Sequence, residues 1–291
     1  MSWLCKVFLL FLSLVWVSSA HPNNLKTSLV KSGPPDESES NSVLHFEVEL
    51  TMEIGELEPS HFPARRAAQV ALHYLNTVHG SPFKAFGLHK ILKASLKDMS
   101  EAGNKYHVEF SVKEMFSSRT VESCSAEVLF PKGEEQKLPE VQISCDGMNQ
   151  IETNAEEEKF FQHYKSSAEP VNAHHLPDSY GNIAKEMKPF WNLGRVVSSF
   201  VMLKESNEST LYNMAQVENV TQLETQDDQL RLQYYIILHE MVSQEMIHWK
   251  LLVSWSPAGG VKVLETEFVP KCHHCHTQPT HSVTPTPPTN N

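Results

Sequence analysis

Between residues 44 and 54 apolar and polar positions alternate without a slip: Leu44, Phe46, Val48, Leu50, Met52 and Ile54 interleave with His45, Glu47, Glu49, Thr51 and Glu53. That period of two predicts a strand with one buried face. The spacing then turns helical. Ala67, Val70, Ala71, Tyr74, Leu75 and Val78 form one stripe, Pro63 sits where a first turn tolerates it, and Gly80-Ser-Pro82 stops the helix. Further strands are predicted around Phe86 to Leu96, through Tyr106, Val108, Phe110 and Val112, through Ala126, Val128 and Phe130, and through Val141 and Ile143. A turn at Asp98 to Asn104, with Gly103, joins the first two of these.

The same order returns later in the chain. A helix from about Pro189 buries Leu193, Val196, Val197, Phe200 and Val201, and strands follow around Leu211 to Val217, Leu230 to Val242, Ile247 to Trp255 and Val261 to Phe268. An offset of 126 residues lays Glu114-Met115-Phe116-Ser117 on Glu240-Met241-Val242-Ser243, Pro131-Lys132-Gly133 on Pro257-Ala258-Gly259, and Pro63 on Pro189. Three coincidences at one offset, each at the same place in a helix-then-strands order, point to a tandem duplication and hence to paired domains. The fold class expected is α+β, a helix laid across an antiparallel sheet, twice, over residues 43–148 and 176–270. Between them, residues 149–175 read as a connecting helical segment: Thr153 begins a capping box with Glu156, and Phe160, Phe161 and Tyr164 make the apolar face.

Composition narrows the partners. A length of 291 residues suits about two domains, and a net charge of −11 argues against nucleic acid, which needs a basic face. Residues 1–20, with Lys6, the apolar run Val7 to Val17 and Ser18-Ser19-Ala20, read as a cleavable secretory signal. That run is too short to span a membrane comfortably, so a secreted, extracellular protein without a stable membrane span is expected. Residues 21–42 have the composition of a flexible arm, and residues 271–291 that of a disordered tail.

Secretion changes how the cysteines are read. Loss of Cys5 with the signal leaves an even set, Cys124, Cys145, Cys272 and Cys275. If Cys124 and Cys145 are cross-strand partners, their turn centres between Glu134 and Glu135, beside Gly133, and the opposed Cα atoms lie within disulfide reach. Cys272 and Cys275, among His273, His274 and His276, carry zinc or copper ligand chemistry, but a single pair in a secreted tail more often oxidises or is simply mobile. A second disulfide and no metal are therefore expected. Two sequons, Asn207-Glu208-Ser209 and Asn219-Val220-Thr221, mark glycosylation sites near turns.

No catalytic residue emerges, so the chain reads as a non-enzyme. His239-Glu240 lacks the second histidine of a zinc-protease helix, since position 243 is serine, and Leu232, Tyr234, Ile236 and Leu238 place it on a strand. No serine or cysteine sits in a nucleophile signature, and no phosphate-binding glycine pattern or other cofactor motif appears. What remains is the pair of repeated turns, Met115 to Ser123 and His239 to His248, which a duplicated fold can bring to one seam; ordinary β-turns that merely record the duplication are the plainer reading.

Several motifs resemble the latexin family: Tyr106-His-Val-Glu-Phe110, Cys124-Ser-Ala-Glu-Val-Leu-Phe-Pro131, Pro177-Asp-Ser-Tyr-Gly-Asn182 followed by Ile183, Asp227-Asp228, Tyr234-Tyr-Ile-Ile-Leu-His239 and Ser243-Gln-Glu-Met-Ile247. The resemblance implies two cystatin-like domains joined by a connecting helix, needing no cofactor, that inhibit zinc metallocarboxypeptidases of the A/B type by covering the funnel over the active site. It assigns the contact to His239, Ser243, Gln244, Glu245 and Met246 of one loop and to Met115, Phe116 and Arg119 of the other, with Gln244 foremost. A monomer is expected. Glu240 stands where the family is uncharged and His248 where it has proline. The signal and the Cys124/Cys145 pair are more similar to the family's secreted or membrane-associated branch. Papain-type inhibition is not expected, because the turn Asp98-Met-Ser-Glu-Ala-Gly-Asn104 lacks the Gln-x-Val-x-Gly motif. The other reading is an extracellular matrix protein whose acidic surface (Glu134-Glu135, Glu156 to Glu158, Asp227-Asp228) meets a calcium mineral.

Overall fold

The structure, a computed structural model, describes residues 54–117, 120–133, 137–148 and 151–270, apart from the Glu122 side chain. The signal, the arm, the strand expected over 44–54 except its last residue, Arg119, the turn at Glu134-Glu135, and the tail with Cys272 and Cys275 lie outside these residues.

β1 (Ile54–Leu57), α1 (Phe62–His79), β2 (Phe86–Asp98), β3 (Gly103–Glu114), β4 (Thr120–Pro131) and β5 (Glu140–Cys145) come first, the strands forming an antiparallel sheet in the order β1-β2-β3-β4-β5. α2 (Asn154–Ser166) follows. β6 (Asn172–Leu176), α3 (Lys188–Glu205), β7 (Tyr212–Gln226), β8 (Gln229–Glu240), β9 (Glu245–Ser256) and β10 (Gly260–Val269) complete the chain, with a second antiparallel sheet ordered β10-β9-β8-β7-β6. The fold is α+β. The 126-residue offset carries α1 onto α3 and β3 onto β8, end to end.

Each sheet closes a core with its helix. Ala67, Ala71 and Leu75 meet Val108, Phe110 and Val128 in the first, where the alanines let helix and sheet approach closely; Phe190, Leu193 and Val197 meet Tyr234, Ile236, Leu251 and Trp255 in the second. Gly194 is needed there, since a Cβ would lie 2.6 Å from a Val217 methyl. Full burial of side chains of this size stabilises by about 1.5–3 kcal/mol each. Val78, expected on the buried stripe of α1, is 55% exposed near the helix end.

Cys124 pairs with Cys145 in register and is bonded to it, with Cα atoms 4.1 Å apart. Three local expectations change. β7 continues past Val217 to Gln226, because register shifts at Met214/Gln216 and Val217/Asn219 break the alternation that would have revealed it. Residues 172–175, read as part of the connector, form edge strand β6 against β7 together with Leu176. Thr153 makes no capping bond; its hydroxyl donates to Glu157, whose buried carboxylate also receives the Ser81 hydroxyl, each at 2.6 Å. Among the described residues no helix is long and apolar enough to cross a membrane.

Candidate functional site

Two short turns end the repeated strands. Met115-Phe116-Ser117 leaves β3, and Met241 to Gln244 joins β8 to β9. Each is capped by the carboxylate that closes the preceding strand. Glu114, 1% exposed, accepts the Phe116 and Ser117 amides at 2.6 Å each, and also the Ser117 hydroxyl. Glu240, 5% exposed, accepts the amides of Leu211 at 2.8 Å, Val242 at 3.1 Å and Ser243 at 2.5 Å. Burial pushes the Glu240 pKa up, but the hydrogen bonds from Leu211, Ser243 and Val242 outweigh it and leave the carboxyl below its ordinary value. The Glu240 charge is thus held inside the turn.

Both turns hang from the starts of their sheets. The Met115 amide donates to the Ala85 carbonyl and the Met241 amide to the Leu211 carbonyl, both at 2.8 Å and again 126 residues apart. The strand starts in turn rest on α1. Asn76 brackets Phe86, receiving its amide at 2.8 Å and donating to its carbonyl at 3.0 Å. His73 hydrogen-bonds the backbone of Tyr212, the residue equivalent to Phe86. Positions 73 and 76 are one turn apart on one helical face, about 5 Å along the axis, so α1 sets both strand starts, and with them both turns, at one seam. Burial drives the His73 pKa down to about 3, helped by the Arg195 charge and opposed by the Tyr212 bond, so the ring is neutral.

α3 closes the seam from the other side. Gly80 at the end of α1 admits Val196, whose methyl would stand 2.5 Å from a Cβ there. Asn192 donates to the Pro82 carbonyl at 3.3 Å. Beside this contact Met115 and Phe116, 40% and 45% exposed, edge a groove of about 970 Å³ floored by Phe83, Phe160 and Trp191. Phe116 reaches Phe83 at 5.2 Å between ring centroids, and Phe83 reaches Phe160 at 5.5 Å.

The expected contact residues fall as follows. His239 is half-buried on β8, paired with Met246 on one side and Asn213 on the other. Ser243, Gln244, Glu245 and Met246 are exposed. Gln244 takes a left-handed backbone, φ 62°, and its amide folds back onto the Met241 carbonyl at 2.5 Å. His248 lies 3.3 Å from Glu218. Among the described residues no group of three His, Cys, Asp or Glu gathers as a metal site. Asn207 occupies the connection from α3 to β7, its side-chain oxygen receiving the Ser209 amide and hydroxyl. Asn219, expected near a turn, lies instead inside β7 between β6 and β8, its amide 3.2 Å from His174. Asp227 and Asp228 form the left-handed turn into β8, and Asp228 pairs with Lys165.

The sequence reading passed over His73, Asn76 and Arg195. The signal was available: polar residues recur on otherwise apolar helical stripes, and the 126-residue offset sets Arg195 against Gln69.

Comparison with known proteins agrees with this architecture. The latexin family model matches residues 57–273. Human latexin is 36% identical over 216 residues, covering 74% of this chain and 97% of that protein. Ovocalyxin-32 of Gallus gallus is 33% identical over 208 residues, 71% of this chain and 74% of its own. Human retinoic acid receptor responder protein 1 is 27% identical over 207 residues, 68% and 70% of the two chains. With the family model matching residues 57–273 and human latexin covered over 97% of its length, the chain belongs to the latexin family.

Proposed function

We propose that this chain is a secreted inhibitor of zinc metallocarboxypeptidases of the A/B type, built as two tandem cystatin-like domains and acting through the seam where the two repeated turns meet. The observation that carries the reading is the anchoring of both carboxylate-capped turns on one face of α1, through Asn76 and His73. An inhibitor that is already rigid loses little conformational entropy on binding. Here the caps fix the turns beforehand. Met115, Phe116 and Met246 offer exposed apolar area for the rim of a funnel. Ser243, Gln244 and Glu245 supply polar contacts, and Gln244 presents a neutral carboxamide from a defined backbone. Occlusion needs no catalytic group and no cofactor.

The test is a panel of A- and B-type carboxypeptidases assayed with the secreted full chain. Nanomolar to micromolar reversible inhibition, weakened by Gln244→Ala, is expected; no inhibition of any enzyme at high micromolar protein rejects the reading. Secretion itself predicts a mature N-terminus after Ala20, read by N-terminal sequencing. A second reading, an extracellular matrix protein, draws on the net charge of −11 and the exposed Asp227 and Asp228. Unchanged calcite growth in the presence of the purified protein counts against it.

A further inference from the structure

The two copies of the seam diverge at one pair of positions. In the second copy Asn213, at the start of β7, accepts from the Gln69 amide at 3.4 Å and donates to the Met241 sulfur at 2.8 Å. A neutral pair thus links α1 to the β8–β9 turn. In the first copy the 126-residue offset sets Gly87 in place of Asn213 and Arg195 in place of Gln69. Gly87 offers no side chain, and a Cβ built on it would stand 2.9 Å from the Met115 sulfur and 3.6 Å from Arg195 Nη2. The guanidinium therefore lies over the bare start of β2, against the turn that carries Met115 and Phe116.

Arg195 has no carboxylate there to meet. Among the described residues the ion pairs engage Arg66, lysines and His248, and none engages Arg195. Its titratable neighbour His73 is buried and neutral and brings no anion; its Nε2 also lacks a hydrogen-bond partner. A half-buried guanidinium is a rigid fork of donors whose best match is a carboxylate accepted bidentately. Where the duplicate is neutral and paired, this copy is cationic and has no ion-pair partner among the described residues.

We propose that Arg195 is the carboxylate-receiving residue of the seam, taking an acidic side chain of the protein that docks over the two turns. The identity of that protein rests on the inhibitor reading; the affinity for a carboxylate does not. A cation beside one turn and a neutral pair beside the other make the surface polar along the seam, which fixes the orientation in which a partner docks.

The experiment uses the secreted full chain with Arg195→Gln and Arg195→Lys variants. Against an enzyme that the natural chain inhibits, Arg195→Gln raises the inhibition constant at least tenfold and Arg195→Lys less, while the thermal midpoint of Arg195→Gln is not lowered, since no internal partner is lost. An unchanged inhibition constant, or a lowered midpoint that accompanies the loss, overturns the inference. If the natural chain inhibits no enzyme, the inhibitor reading fails separately, and the Arg195 site is read by nuclear magnetic resonance. N-acetylglutamate α-amide, titrated at constant ionic strength, then shifts the Arg195 Nε–H resonance saturably, and N-acetylglutamine α-amide does not. An equal response to both, or none, overturns the inference.

Discussion

Arg66 and Glu208, 142 residues apart in the chain, meet across the seam between the two sheets. The Arg66 guanidinium donates to the Glu208 carbonyl and, at 3.0 Å, to the Tyr106 hydroxyl. The Glu208 carboxylate receives the Tyr106 hydroxyl at 2.8 Å and the Asn104 amide at 3.0 Å. The rings of Phe62, Tyr106 and Phe130 surround the guanidinium at 5.2, 5.5 and 5.3 Å. Burial, and then the bond to Glu208, push the Tyr106 pKa up to about 12. Helix, strand and the α3–β7 connection are thereby held in one polar knot.

Breaking that knot from the glutamate side leaves the buried Arg66 without its carboxylate, whereas the backbone contact survives. Glu208→Ala is expected to cost about 1–3 kcal/mol, the range for a buried partner left unsatisfied. Urea denaturation measures it as a lowered midpoint. The substitution preserves the sequon, so glycan occupancy at Asn207, followed by mass spectrometry, serves as the control for folding in the cell.

The Cys124–Cys145 bond closes a hairpin 21 residues apart in sequence. A loop of that size contributes about 3 kcal/mol through the unfolded state. Reduction should lower the unfolding free energy of the natural chain, read from urea denaturation, by that amount. It should do little to a Cys124→Ala/Cys145→Ala double variant; a large effect there would assign the stabilisation to Cys272 and Cys275.

The parts legible in the sequence were those where one face stayed buried without interruption. Tyr234, Ile236 and Leu238 alternate on β8 as expected, and the duplication is visible because Glu114 and Glu240 do the same capping work in both copies. Legibility failed where tertiary contacts overrule local pattern. Bulges hid the length of β7, and five polar-leaning residues hid β6. The box expected of Thr153 with Glu156 does not form, because the Thr153 hydroxyl goes to Glu157, which Ser81, 76 residues away, also reaches. Arg195 and His73 sit on apolar helical faces, and only the packing of α1 on α3 gives them meaning.

His73 makes the fold sensitive to acid. Folded, the ring stays neutral down to a pKa of about 3, while in the unfolded chain it binds a proton near 6.5. Between those values the unfolded state holds more protons, so stability falls as pH falls, by at most about 1.4 kcal/mol per pH unit for one group. Below about 4.5, the lowered pKa of Glu240 acts in the same direction, because its stabilising bonds are lost on protonation. His73→Gln keeps a donor for Tyr212 and removes the titration. Its stability, from denaturant curves between pH 6.5 and 4.5, should be flatter than that of the natural chain; parallel curves would show that His73 titrates normally in the fold.

The two carboxylate caps allow the seam to be dissected turn by turn. Glu240→Gln keeps the shape but replaces charge-assisted bonds to Val242 and Ser243 with weaker ones and turns an amide towards donors, a local loss of about 1–3 kcal/mol. Opening of the turn becomes easier by the same amount, so hydrogen exchange at the Val242 and Ser243 amides should quicken roughly 10- to 100-fold while core amides of β8 are unchanged. Glu114→Gln should do the same at Phe116 and Ser117, which its carboxylate holds. If the inhibitor works by presenting both turns rigidly, each substitution weakens carboxypeptidase inhibition and the double substitution weakens it further. Should only Glu240→Gln weaken it, the β8–β9 turn with Gln244 makes the contact alone, and the β3–β4 turn serves the groove beside it. Faster exchange in both turns with inhibition intact would show that the enzyme is held elsewhere on the surface, and the proposed use of the seam would then be wrong.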